Sequence, residues 1–147
     1  MPRITGVTPY FQVFDMIESV RFYRDTLGFK VVFASPEVET NEGRFSHFVR
    51  LKLGPVELML NTIYDSNERP PSRNQARASG HRDVTLYIDC SDVDAQHHLL
   101  TKRGLDVPPP KIAPYGLKFI AVHDPDGYTL TFCHAERRRS RSRKTSA

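Results

Sequence analysis

The side chains best placed to carry chemistry are two carboxylates and two histidines on or beside predicted strands. Glu57 stands in the alternating segment VELML, on the face opposite its apolar residues, and Asp83 begins the segment DVTLYID. His47 and His123 also lie on predicted strands, where an imidazole could act as an acid or base near neutral pH. A divalent cation prefers oxygen and imidazole ligands, so this set raises the question of a metal-dependent site.

Each of these groups also has a purely structural interpretation. Glu57 could pair with Arg50 or Lys52 on the neighbouring strand, as half-buried carboxylates often do. Asp83 could be a strand-start residue in a polar loop. His123 directly precedes the segment DPDG at a predicted strand end, a position where histidines are common without function.

Other familiar catalytic patterns do not occur in the sequence. It contains no Ser-His-Asp order, glycine-rich phosphate loop or H-E-x-x-H pattern. Cys90 and Cys133 are far apart and lack C-x-x-C spacing, which favours reduced thiols over a disulfide framework or a cysteine metal site. His97 and His98 fall on a predicted helix, where a solvated histidine is the usual outcome.

The elements that must position these residues begin with a strand and a helix. The segment from Val7 to Val13 alternates as a strand does. Asp15 and Glu18 then form a capping-box pattern, and helical spacing of apolar residues continues to Gly28. The segments FKVVFAS, RFSHFVRLKL and VELMLN are typical of strands, so the first series is predicted to be strand, helix and three strands.

A second series repeats this order. DVTLYID is predicted to be a strand, and Ser91 and Asp94 form a capping pattern before a helix that ends at Gly104. The second strand of this copy is weak, because its sequence is LDVPPP. YGLKFIAVHD and YTLTFCH are predicted strands around Asp124-Pro125-Asp126-Gly127, whose Pro and Gly positions are typical of a type I or II turn.

We therefore expect two modules, a linker and a tail. Residues 1–62 are the first module and residues 83–136 the second. Residues 63–82 are rich in Pro, Ser, Asn and Arg, which indicates an exposed linker loop. Residues 137–147, RRRSRSRKTSA, have almost no apolar residues and are expected to be a disordered basic arm that gives weak polyanion binding.

Composition indicates a folded globular protein. The 147 residues are 39% hydrophobic and 10% aromatic, and no apolar run approaches the roughly 20 residues that cross a bilayer. The start lacks a secretory signal pattern, so we expect a soluble cytoplasmic protein without membrane partners. The formal net charge of the chain is +4, and the tail carries six positive charges. The rest of the chain therefore has a net charge of −2. The body is therefore not expected to read nucleic-acid sequence.

Four segments carry a family resemblance: FQVFDMIESVRFYRDTLGF, VELML, YIDCSDVDA and YGLKFIAVHDPDGYTLTF. Together they resemble the vicinal oxygen chelate superfamily, which includes glyoxalase I, extradiol dioxygenases and bleomycin resistance proteins. The resemblance implies an α+β fold in which two βαβββ modules form a curved, incompletely closed β-barrel around a pocket. It also implies a homodimer, and the pattern is closest to the bleomycin-resistance-like members.

The resemblance further implies where a metal would bind in the enzymes of the superfamily. Their four ligand positions fall on Thr8, Glu57, Asp83 and Thr131 in this sequence. Only two of these can be anionic ligands, and a threonine hydroxyl is a poor substitute for a carboxylate or imidazole. No cofactor is therefore expected, although a divalent metal held by Glu57 and Asp83 stays open.

The favoured hypothesis is a protein that sequesters or acts on a small organic or aromatic ligand in the barrel pocket. No catalytic residue is assigned. The predicted ligand-binding residues are Thr8, Tyr10, Glu57, Met59, Asp83, Thr85, Tyr115, Phe119 and Thr131. One alternative is a metal-dependent lyase or dioxygenase with a rearranged site, in which His47 or His123 is the base. Another is a nucleic-acid or polyanion tether that acts through the basic tail.

Overall fold

The chain forms two compact units. The computed structural model describes residues 1–136, so the predicted basic tail lies outside the described residues. The first unit contains residues 1–82 together with the short segment Asp124–Tyr128, and the second contains Asp83–His123 and the chain from Thr129 onward. No helix among the described residues is long and apolar enough to cross a membrane.

The first unit is built on a four-stranded sheet. Its elements are β1 (Tyr10–Val13), α1 (Met16–Arg21), β2 (Lys30–Ala34), β3 (Val38–Thr40), β4 (Gly43–Phe45), β5 (Phe48–Leu53), β6 (Val56–Thr62) and α2 (Gln75–Gly80). The sheet has the order β1-β6-β5-β2, with β1 parallel to β6 and the other pairs antiparallel. β3 and β4 form a separate hairpin, which the sequence did not predict.

The second unit repeats this arrangement. Its elements are β7 (Thr85–Asp89), α3 (Val93–Lys102), β8 (Lys111–Ile112), β9 (Leu117–His123) and β10 (Thr129–Ala135). The order β7-β10-β9-β8, again with one parallel pair, matches that of the first sheet. β8 has only two residues, since its surroundings are the proline-rich segment that predicted a weak strand. The predicted α+β class is confirmed, and each sheet is unclosed.

Helix starts follow from acidic caps, with one correction. The Asp15 carboxylate accepts a hydrogen bond from the Glu18 backbone N–H at 3.2 Å, as the capping pattern predicts. The predicted cap at Ser91 is wrong by one residue. Asp92 has the extended backbone of an N-cap and accepts from the Ala95 N–H at 3.0 Å, so its carboxylate takes this role.

β1 is shorter than the strand predicted from Val7 to Val13. It begins at Tyr10, and Val7 is exposed. Pro9 has no N–H to donate, although its carbonyl still accepts from the Met59 N–H at 2.9 Å. The pairing between β1 and β6 therefore starts only at this point.

One face of the first sheet carries the core of its unit. The buried apolar residues alternate along the strands with more exposed ones. They are Phe11, Val13, Val49, Leu51, Leu58 and Leu60. α1 packs on this face and continues as a π-helical segment, Phe22–Thr26, which buries Tyr23. The opposite face of the sheet is left for the polar and aromatic residues described below.

Residues 63–82, predicted to be an exposed linker, contain α2 and make contacts with the first unit. Arg69 pairs with Asp15 at 2.9 Å, and Arg73 pairs with Glu18 at 2.7 Å. Both guanidinium groups lie 4.9 Å from the centre of the Phe14 ring. The arginines that suggested an exposed loop are thus the groups that attach it.

The turn between β9 and β10 is the most polar buried feature of the first unit. Asp124 and Asp126 are only 5% and 2% exposed. Asp124 accepts hydrogen bonds from the Tyr23 hydroxyl at 2.7 Å and from the backbone N–H groups of Asp126 and Tyr128 at 2.9 Å. The Gly127 N–H donates to the Asp124 carbonyl at 3.0 Å, which closes the predicted β-turn.

Asp126 and Tyr128 extend this attachment. The Asp126 carboxylate accepts from the Phe14 N–H and from Arg73 Nε, each at 3.1 Å. The Tyr128 ring stacks between Phe11, at 4.1 Å, and His81, at 3.9 Å between centroids. Since buried carboxylates are costly without partners, these contacts fix the turn against α1, β1 and residues 63–82.

The turn packs closely against α2, so Gly127 should tolerate no side chain. A Cβ at Gly127 would collide with the Ala78 carbonyl, and its φ of 86° is left-handed. We expect Gly127→Ala to cost about 2–5 kcal/mol of the free energy of unfolding in urea denaturation. Gly116 has the same φ of 86° with open space around it, so Gly116→Ala is the matched control and should cost only about 1–2 kcal/mol. Equal losses would show that Gly127 matters only for its φ.

Asp124 should make stability depend on pH. Burial, outweighing the Tyr23 hydrogen bond, raises the pKa of Asp124 from 3.8 to about 6. Between these values the folded protein holds a proton that the unfolded chain has released, so the stabilisation present below about pH 4 is lost as the pH rises through 6. The loss is on the order of 2–3 kcal/mol.

Asp124→Asn keeps an acceptor for the two backbone N–H groups and removes the titration. The difference in free energy of unfolding between wild type and this variant should therefore change between pH 4 and 7, whereas the exposed Asp65→Asn should follow the wild-type profile. Parallel profiles for wild type and Asp124→Asn would contradict the assignment. Urea denaturation across this pH range measures both.

Candidate functional site

The face of the first sheet opposite α1 carries most of the predicted site residues of that unit. Tyr10 is the register partner of Met59, and Met59 is also the partner of Arg50. Glu57 lies two residues before Met59 on the same face and opposite Lys52. We call this surface the open face, and it consists of Tyr10, Gln12, Phe33, Phe48, Arg50, Lys52, Glu57, Met59 and Asn61.

Glu57 is held by cations on the open face. Its carboxylate accepts from Arg50 Nη2 at 3.1 Å and lies 3.8 Å from Lys52 Nζ. Arg50 also points Nη1 at the Met59 sulfur, 3.5 Å away. The structural alternative for Glu57, an ion pair with the neighbouring strand, is therefore present. The pair is about one-third exposed, so it contributes little to stability but fixes a polar group on the surface.

Aromatic residues adjoin this ion pair. The rings of Phe33 and Phe48 lie 6.0 Å apart and are tilted by 57°. Phe33 is 54% exposed and Tyr10 is 49% exposed, although both have large apolar surfaces. Tyr10 is one of the ligand-binding residues predicted from the sequence, whereas Phe33 was not predicted. Phe33 is placed here by a register shift in β2 between Val31 and Phe33, which the continuous apolar run KVVF does not reveal.

The second sheet also has a face opposite its helix, and it holds the predicted residues of that unit. The hydroxyls of Thr85 and Thr131 share a hydrogen bond of 2.7 Å, and Thr131 is buried. The hydroxyls of Tyr87 and Tyr115 are 3.5 Å apart, and Tyr115 is largely exposed. Phe119 is the neighbour of Thr131 on this face, since its register partner is Cys133. Thr131 thus meets a second hydroxyl rather than an anionic group.

The four ligand positions implied by the resemblance do not fit a divalent cation in this structure. Glu57 is engaged by Arg50, Thr131 bonds Thr85, and Thr8 offers only a hydroxyl. Asp83 is exposed in a short 3-10 helix, His81–Asp83. Within residues 1–136 no three His, Cys, Asp or Glu side chains come together as a metal would require. The described side chains at these positions thus do not form a metal-ligand set.

The histidines have structural partners. His47 Nδ1 lies 2.7 Å from the Thr62 hydroxyl and Nε2 lies 2.9 Å from the Ser66 hydroxyl, so both ring nitrogens are engaged. His123 Nδ1 lies 3.0 Å from the Thr129 hydroxyl. His97, expected to be solvated, instead lies 2.9 Å through Nε2 from the Val107 carbonyl and ties α3 to the following loop. His98 is exposed as expected.

Comparison with known proteins identifies the fold. A family model described as the Glyoxalase/Bleomycin resistance protein/Dioxygenase superfamily matches residues 4–132. No curated protein matches the sequence. Among solved structures, a glyoxalase/bleomycin resistance protein/dioxygenase from Nocardioides has a TM-score of 0.64 at 19% identity, covering 93% of this chain and 87% of that one.

Two further solved structures are similar over the whole of their own chains. A bleomycin-binding protein from Streptomyces verticillus, complexed with copper(II)-bleomycin, has a TM-score of 0.63 at 22% identity and covers 94% of this chain and 100% of that one. TnmS3, an antibiotic-binding protein from Streptomyces sp. CB03234, has a TM-score of 0.61 at 24% identity, with 92% and 100% covered. These likenesses confirm the predicted glyoxalase/bleomycin resistance fold.

The engagement of Glu57 makes a prediction about metals. Adding Ni²⁺, Zn²⁺, Mn²⁺ or Fe²⁺ in large excess should leave Tm unchanged, because a cation would have to displace Arg50 from Glu57. Differential scanning fluorimetry checks this on protein purified without chelators. A saturable rise in Tm that Glu57→Gln removes, and that Glu42→Gln at an exposed position leaves intact, would overturn the prediction.

Proposed function

Because the chain belongs to the Glyoxalase/Bleomycin resistance protein/Dioxygenase superfamily, we propose that it sequesters a small organic molecule with a flat aromatic part. The open face of the first sheet is the surface that we assign to this ligand. The observation that carries the proposal is the placement of exposed aromatic rings beside an ion pair on that one face. Ligand sites typically combine apolar walls with a few fixed polar groups.

The aromatic residues supply the stacking surface. Phe33 and Phe48 are tilted against each other rather than stacked, which leaves the exposed side of Phe33 available for a flat ring. Tyr10 adds a third ring, which carries a hydroxyl, on the strand at the other side of the sheet. Exposed aromatic surface at both sides of one sheet supports a binding role, since such area is normally buried.

The ion pair supplies orientation. Arg50 is held by Glu57 and by the Met59 sulfur, so its guanidinium is fixed before any ligand arrives. The open face has Arg50 and Lys52 against one acid, Glu57, which favours an electron-rich or anionic edge on the ligand. Sequestration requires affinity for the ligand but no transition-state stabilisation, so the proposed function needs no general base.

Two structural neighbours support a binding function. The Streptomyces verticillus protein binds bleomycin and TnmS3 is an antibiotic-binding protein. Among the described residues, no cluster of metal-ligating side chains supports the lyase or dioxygenase alternative. The remaining predicted residues of the second unit, among them Thr85, Tyr115 and Phe119, are proposed as a separate ligand-contacting surface.

Three expectations from the sequence stay predictions. The exposed edge strand β2, with Val32 and Phe33, supports the homodimer, which light scattering can check. Cytoplasmic location and polyanion binding by the tail stay predictions as well.

A ligand screen tests the proposal. Bleomycin, flavin mononucleotide and a panel of aromatic antibiotics are added at about a hundred times a micromolar Kd, where binding would stabilise the fold by roughly 2.7 kcal/mol. We expect at least one class to raise Tm. Phe33→Ala should then weaken that ligand about tenfold by calorimetry, because an aromatic contact contributes roughly 1 kcal/mol beyond its buried area.

The matched control is Leu99→Ala, which removes another exposed apolar side chain, on α3 in the other unit. It should leave affinity unchanged. If no compound raises Tm, or if Leu99→Ala weakens binding as much as Phe33→Ala does, the open face is not the ligand site.

A further inference from the structure

A second cleft lies on the opposite side of the first sheet, where α1 leaves the edge strand β2 partly uncovered. It has a volume of about 380 Å³, within the range of small-molecule sites. Apolar side chains from α1, β2, β4 and β5 form its walls, and three arginines and one acid lie around it. We call it the α1 cleft. It is separate from the open face, because Val31 and Val49 project to the helix side of the sheet.

Along the helix the cleft changes from apolar to cationic. Ile17, Val20, Arg21 and Arg24 recur at spacings of three and four residues, so they form one stripe on the helix surface. The stripe is apolar at its start and positively charged at its end, over about 10 Å of helix. An apolar chain with an anionic end group would match both parts of this stripe.

Arg21 is the cation that is open to such a group. Arg24 is engaged by Asp25 at 2.8 Å, and Arg44 by Glu39 at 2.9 Å. Within residues 1–136 Arg21 has no acidic side-chain oxygen within 4 Å. Arg44 also pairs with Glu37 at 3.3 Å, so Arg24 and Arg44 are both charge-paired and Arg21 supplies the positive charge of the cleft.

Two backbone irregularities border this same cleft. The helix continues from Arg21 into the π-helical segment Phe22–Thr26, in which the Leu27 N–H donates to the Phe22 carbonyl. On the facing strand the register shifts between Val31 and Phe33. π-helical turns and β-bulges each interrupt regular hydrogen bonding and occur preferentially near functional sites. Their coincidence at one cleft points to a built surface rather than a packing gap.

We propose that the α1 cleft binds a single-chain amphiphile with a carboxylate end, such as a medium-chain fatty acid anion. Its chain lies over Ile17, Val20 and Val31, which is 39% exposed, and its carboxylate accepts hydrogen bonds from Arg21. Arg24 flanks the same end. The proposal is independent of the ligand assigned to the open face.

Calorimetry with octanoate on the full chain tests this proposal. Octanoate below its micelle concentration should bind at one site, octanol should bind at least about tenfold more weakly, and acetate should not bind, because both the chain and the charge contribute. Arg21→Gln should weaken octanoate about fivefold, whereas Arg82→Gln, an exposed arginine outside the cleft, should not. Octanoate should also shift the methyl NMR signals of Ile17 and Val20.

Several results would overturn it. Equal affinity for octanoate and octanol would show that the carboxylate does not contribute to binding. If octanoate did not bind, the proposed ligand class would be wrong. Binding to phosphatidylglycerol vesicles that depends on Arg21, without saturable octanoate binding, would assign the cleft to a membrane surface instead. Phe33→Ala on the open face should leave octanoate binding intact, so failure here and failure of the proposed function are distinguishable.

Discussion

The first unit depends on the need to satisfy two buried carboxylates, Asp124 and Asp126. Neither can be left without donors at 5% and 2% exposure, because a buried charge without partners costs far more than one salt bridge returns. The donors come from the π-helical segment, from the residue after β1 and from residues 63–82, through Tyr23, the Phe14 N–H and Arg73. A segment with the composition of a linker is therefore ordered, since its arginine is one of the groups that makes the burial of Asp126 tolerable.

Both proposed sites inherit their geometry from this turn. Tyr128 accepts a hydrogen bond from the Gln12 N–H through its hydroxyl, and Gln12 also receives Arg77 at 2.8 Å, so β1 is fixed at the edge of the open face. On the other side of the sheet, Tyr23 is held by Asp124 within the π-helical segment. This anchor sets the position of the helix end that carries Arg21 and Arg24. A change that loosens the turn would consequently affect both faces, and variants that test one site must leave Asp124 and Asp126 intact.

The sequence predicted those features that depend on interactions between residues close together in the chain. The cap at Asp15, the β-turn at Asp124–Gly127 and the repeated strand order all follow from neighbours in the chain, and the structure has them. Contacts between distant residues were not predictable in this way. Nothing near Arg73 in sequence indicates that its partner is Asp126, 53 residues away. Phe33 was missed for a related reason, because an unbroken apolar run cannot show where a register shift turns a side chain to the other face.

The position of Glu57 shows how an ion pair can occupy the place where the resemblance implies a metal ligand. On the open face the Glu57 carboxylate, at a position where the resemblance implies a metal ligand, is neutralised by Arg50 and approached by Lys52. The fixed positive charge that a metal would have supplied is thus supplied in part by a guanidinium, which binds anionic or electron-rich groups but offers no open coordination position. A guanidinium cannot activate a bound water as a metal can, and its planar donors can still orient a ligand beside Phe33 and Phe48. The side chains at this position therefore support the proposed role of holding a molecule.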